Sequence, residues 1–83
     1  MTQAQAVSES DVHEAFRTII KNKNEETLNY AVNYAIYGLG CTGKELRVQT
    51  PYVLSNISYW RTDEGKEVRA TLKAFVKASN KRG

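Results

Sequence analysis

The chain is poor in the residues that usually carry chemistry. Its 83 residues include one cysteine, Cys41, one histidine, His13, one proline, Pro51, and one tryptophan, Trp60. A single cysteine forms no internal disulfide, which fits a reducing compartment and makes the cytoplasm the expected location. His13 is the only histidine, and nothing nearby in sequence completes a metal set or a nucleophile–base pair around it. We therefore expect no metal, no cofactor and no enzyme activity. Cys41 precedes a helix start, a position that lowers a thiol pKa. It has no base or resolving partner in sequence, and reads as a packed small residue. No apolar run approaches the ~20 residues that span a bilayer, so no membrane association is expected. MTQAQAVSESD lacks the basic-then-apolar pattern of a secretory signal. Strict apolar–polar alternation is also missing, which removes strands and leaves an all-α chain.

What is present is helical periodicity. Val12, Phe16, Ile19 and Ile20 recur at i, i+4, i+7 and i+8, with Ser10 as the expected N-cap. KNKN, residues 21–24, ends that helix, and Asn24 is placed to cap the next. Leu28, Val32, Ala35 and Leu39 stripe a second helix. Leu46, Val53, Leu54, Ile57 and Trp60, with Thr50 between, stripe a third. Val68, Leu72, Phe75 and Val76 stripe a fourth. The expected architecture is one compact four-helix domain over residues 10–79, with a flexible tail at 1–9 and a basic tail at 80–83. The expected core is Val12, Phe16, Ile19, Leu28, Val32, Ala35, Leu46, Val53, Ile57, Trp60, Val68, Leu72 and Phe75.

Between helices two and three lies GLGCTGKE, residues 38–45. Gly38, Gly40 and Gly43 spell the dinucleotide fingerprint G-x-G-x-x-G, and Gly38, Gly43 and Lys44 spell most of a P-loop. Both motifs require a preceding β-strand, and here a helix precedes. Glu45 also stands where a P-loop needs Ser or Thr for magnesium. The stretch therefore reads as punctuation, and no nucleotide is expected. Gly38 or Gly40 would supply the positive φ of a helix C-terminus. Thr42 and Glu45 would form the capping box of helix three.

Pro51 interrupts the third helix. Either the helix kinks there and continues, or it stops and restarts with Thr50 as N-cap and Pro51 in its first turn. The stripe keeps its phase across Pro51, which favours the kink. With a restart, Thr42, Lys44, Glu45, Leu46, Ile57 and Ser58 fall at spacings that resemble the DNA-reading pair of phage-repressor-type helix-turn-helix proteins. Arg47 and Pro51 depart from that pattern, which wants a small residue and a glycine there. The resemblance implies a small DNA-binding regulator whose Leu54, Ser55, Asn56 and Tyr59 face the major groove.

Two surface features remain. Lys66, Arg69, Lys73 and Lys77, continuing to Lys81 and Arg82, form a basic row on helix four. Residues 1–60 hold five basic and six acidic groups, whereas 69–83 hold five basic and no acidic ones. Such a row follows a phosphate backbone, docks an acidic protein, or is only a solvated face. NYAVNYAIY, residues 29–37, states a four-residue unit twice. That spacing stacks Tyr30, Tyr34 and Tyr37 in one row beside Asn29 and Asn33, away from the aliphatic stripe. Tyr30, Asn33, Tyr34 and Tyr37 are therefore the expected self-association face of a homodimer. The sequence reads first as a non-catalytic helical interaction protein whose further protein partner it does not name, and second as the DNA-binding regulator.

Overall fold

A computed structural model of the chain describes the backbone of residues 7–82 and the side chains of residues 7–78. It contains four α-helices: α1 (Glu9–Lys21), α2 (Asn29–Gly38), α3 (Gly43–Ser55) and α4 (Asp63–Arg82). A short 3₁₀ turn, Glu26–Leu28, leads into α2. No strand occurs among the described residues. The principal contacts run α1–α2, α2–α3, α3–α4 and α4–α1, so each helix packs on its chain neighbour and α4 closes the ring on α1. No described helix is long and apolar enough to cross a membrane.

The element starts differ from expectation in ways the side chains explain. Ser8, not Ser10, caps α1: Asp11 N–H donates to Ser8 Oγ and Ser8 N–H to Asp11 Oδ2, both at 3.1 Å. Val7 packs against the core. Residues 7–9 thus belong to the domain, and the part of the expected tail at residues 1–6 lies outside the described residues. Asn24 caps nothing; it lies in a turn, and Glu25 precedes the 3₁₀ turn instead. At the other end the α4 backbone stays helical to Arg82.

The core is that expected, with two revisions on α2. Of the thirteen expected residues, all are buried except Val32, which is half-buried and packed on the cluster. The buried stripe of α2 is Ala31, Ala35 and Gly38, with Leu28 of the 3₁₀ turn buried just before it, while Leu39 is partly exposed. Gly38 lets α1 approach closely. A Cβ on Gly38 would run into the fully buried ring of Phe16. Gly38 is therefore a helical contact residue and supplies no positive φ. That conformation belongs to Gly43, at φ 54°.

α3 runs unbroken through Pro51, so the restart does not occur. The helix ends earlier than the stripe suggested. Ser55 Oγ and Asn56 Nδ2 both donate to the Tyr52 carbonyl, at 3.1 and 2.8 Å, and so replace the helical bond that would extend it. Ile57 and Trp60 follow in a loop yet remain buried in the core. That loop is held by Arg69, whose Nη1 donates to the Trp60 carbonyl and, at 3.4 Å, to that of Ile57.

Candidate binding face

The GLGCTG turn is gripped by α1. Three residues spaced i, i+4 and i+7 on that helix meet it. The Glu9 carboxylate accepts the Gly43 N–H at 2.9 Å. His13 Nε2 lies 2.8 Å from the Cys41 carbonyl. Since a carbonyl only accepts, Nε2 carries the proton. Phe16 lies on Gly38. His13 is thus half-buried and engaged, rather than on open helix surface as its polarity suggests. Thr42 occupies the N-cap position of α3, but its side chain makes no capping bond; Glu9 acts in its place from another helix. The amide that a phosphate would need at this helix start already holds a carboxylate.

Cys41 is buried, with its Sγ donating to the Tyr37 carbonyl at 3.6 Å. Burial pushes its thiol above the ordinary range, and the nearby Glu45 carboxylate adds to the effect. Burial thus outweighs the helix start, which alone would lower the thiol. Among the described residues no group of three potential ligands gathers around a metal position.

The outward side of α2 and α3 carries the large exposed rings. Tyr30, Tyr34 and Tyr37 are 74, 40 and 66% exposed on α2, and Val48 and Tyr52 are 57 and 55% exposed on α3. Tyr34 and Tyr52 stack, with ring centroids 6.2 Å apart and planes 20° from parallel. Beneath them Gln49 Nε2 donates to the Tyr34 carbonyl at 2.9 Å, fixing the seam between the helices. A groove of about 290 Å³ runs along this seam, lined by Tyr37, Cys41, Lys44, Glu45, Val48 and Gln49. Asn33 is exposed beside the tyrosines. Sequence reasoning found the α2 half of this face and missed Val48 and Tyr52. Their i, i+4 spacing off the apolar stripe of helix three was the available signal.

The other candidate residues are dispersed. Lys66, Lys73 and Lys77 are exposed on α4, but Arg69 leaves the row to hold the 57–60 loop. Lys81 and Arg82 continue the helical backbone, and their side chains lie outside the described residues. The helix-turn-helix positions fall at a helix end and in a loop. Leu54 packs on the core, Ser55 and Asn56 bond the Tyr52 carbonyl, and Tyr59 is alone in the loop. With α3 continuous through residue 51, residues 42–60 hold one helix where that motif needs two. A second groove, between α1 and α4, is lined by Asp11, Glu14, Glu64 and Glu67. Its acids are mostly occupied: Asp11 in the α1 cap, Glu14 with Arg17 at 3.4 Å, and Glu64 with Lys21 at 3.3 Å.

No family model, no curated protein and no solved structure matches the chain. The chemistry of its own surface is what speaks for a function.

Proposed function

We propose that this chain is a non-catalytic helical interaction protein that self-associates through the α2–α3 tyrosine face. The observation that carries the reading is the joined row of Tyr30, Tyr34, Tyr37 and Tyr52, open to water and set beside an apolar groove. Tyrosine suits such a role because its ring packs while its hydroxyl stays wet. No hydroxyl of the row has a hydrogen-bond partner among the described residues. A twofold pairing needs a surface complementary to itself. This one supplies Asn33 as donor and acceptor, and Lys44 and Glu45 as one charge of each sign on the groove.

The size of the face sets the expected strength. At roughly 200 Å² for a whole tyrosine side chain, the exposed fractions of the four rings amount to on the order of 500 Å² per copy. A stable interface buries about 800 Å² per partner, so the association is a weak one, in the micromolar range. Light scattering over a concentration series, from low micromolar to near-millimolar, tests it. The expected result is a mass that climbs from one chain to two. Tyr34→Ala, at the centre of the row, is expected to weaken association by ~1–3 kcal/mol with helicity unchanged. A single-chain mass throughout the series ends the proposal.

A further inference from the structure

Two features of the face are unequal along its length, and together they imply how two copies would meet. The groove lies at the Tyr37 end of the row, whereas Tyr30, the most exposed of the three α2 tyrosines, lies at the other end. A parallel pairing of α2 with its copy would set Tyr30 on Tyr30 and leave both grooves open. An antiparallel pairing about the middle of the row sets Tyr30 of one copy opposite Tyr37 of the other, and Asn33 opposite Tyr34. It also opposes the two helix dipoles favourably.

We propose that the α2–α3 groove is the receptor for the Tyr30 side chain of a second copy, exchanged mutually across an antiparallel twofold. This rests on the self-association reading above and adds its geometry. The groove fits the guest. Tyr37 and Val48 give it apolar walls, and its volume of about 290 Å³ exceeds the ~150 Å³ in which an apolar cavity holds a benzene ring. Lys44 and Glu45 line the same groove, and neither has an ion-pair partner among the described residues. Both give the rim of the groove a polar contact for the incoming phenol hydroxyl, the ammonium as donor and the carboxylate as acceptor. The buried Cys41 thiol closes the floor as a neutral group, since its ionisation is pushed up.

The geometry makes a distinctive demand on mixed dimers. Tyr30→Ala removes the guest and Val48→Glu spoils the receptor. Both positions are well exposed in the single chain, so both variants are expected to keep the wild-type helical signal by circular dichroism. Each variant alone loses both guest–groove contacts, and each is expected to self-associate about tenfold or more weakly than wild type. Mixed together, one copy of each retains one intact contact: the Val48→Glu chain offers Tyr30 to the unaltered groove of the Tyr30→Ala chain. The mixed pair is therefore expected to bind more tightly than either variant binds itself, beyond the twofold statistical advantage of a heterodimer. Sedimentation equilibrium with a fluorescent tag on one variant reads this directly. A wild-type chain that dimerises, with mixed pairs no tighter than the geometric mean of the two variants, overturns the guest–groove assignment and leaves self-association standing. A wild-type chain that never dimerises overturns both.

Discussion

Gly38→Ala places one methyl group where α1 and α2 are closest. The new Cβ would stand inside contact distance of Cε2 and Cδ2 of Phe16, with Cζ only 3.2 Å away. The ring is fully buried, and close-packed interiors yield little to an added methyl group. Overpacking of this kind costs ~1–3 kcal/mol. Against it stands the helix propensity gained on replacing glycine by alanine inside α2, which contributes ~1 kcal/mol. Two ring atoms closer than 3.0 Å put this clash in the upper part of that range, ~2–3 kcal/mol, so it outweighs the gain and the net loss is about 1–2 kcal/mol. An 83-residue chain has ~4–12 kcal/mol of stability to lose, so this is a sizeable share. For a domain of this size it corresponds to a fall in Tm of ~5–10 °C. Thermal and urea unfolding followed by circular dichroism measure it. Gly40→Ala is the control: the nearest atom to its Cβ is the Tyr37 carbonyl oxygen at 3.6 Å, an ordinary contact, so stability there is expected to change by less than ~0.5 kcal/mol. Combining Gly38→Ala with Phe16→Leu is expected to cost less than the sum of the two single changes, because the shorter side chain makes room. A Gly38→Ala protein as stable as wild type would refute the close approach of α1 and α2 on which the core is built.

Three further outcomes rest on the same contacts. Glu9→Ala is expected to lower stability by ~1–2 kcal/mol through loss of the Gly43 bond, whereas Thr42→Ala costs little; equal losses in urea unfolding would count against capping from α1. Gly65→Ala drives a Cβ into the Trp60 carbonyl, a backbone atom that Arg69 also holds, so it is expected to cost more than Gly38→Ala and to shift Trp60 fluorescence; an unchanged spectrum and Tm would show that the 57–60 loop is free to move. The Cys41 thiol, raised by burial, is expected to react with a disulfide reagent far more slowly in the folded chain than in urea. Because the unfolded thiol ionises first, its stabilising contribution is complete below about pH 8.5 and is lost as pH rises beyond that, so wild-type stability is expected to fall more steeply there than that of Cys41→Ala. Parallel pH–stability curves for the two proteins would contradict this.

Most of the core is legible in the sequence because burial follows helical period, and period survives even where the backbone stops being helical. Ile57 and Trp60 illustrate this: their phase with Leu46 and Val53 marks them as buried, although Ser55 and Asn56 have already ended the helix. Contacts between residues far apart in the chain are not legible in this way. Thr42 and Glu45 form a sound local capping pattern, yet Glu9, 34 positions from Gly43, takes the amide. Arg69 shares helical spacing with Lys66 and Lys73, yet two loop carbonyls claim it. Aliphatic size points to Val32 and Leu39 for the α2 stripe, whereas close helix packing selects Ala31 and Gly38. The same separation in sequence hides the joining of Tyr34 to Tyr52, which turns a tyrosine row on one helix into a face built from two.

The grip of α1 on the 38–43 turn also governs how the chain assembles. Its two polar contacts close loops of 34 and 28 residues, each enclosing the whole of α2. The start of α3 is therefore completed only by a segment synthesised long before it, and cannot be satisfied within any fragment that begins after Glu9. Excising residues 29–56 as a helical hairpin would leave α3 frayed at its first turn and Gly38 without its ring. Helix formation in the second half is thereby coupled to docking of the first, which favours all-or-none folding over stepwise accumulation of stable halves.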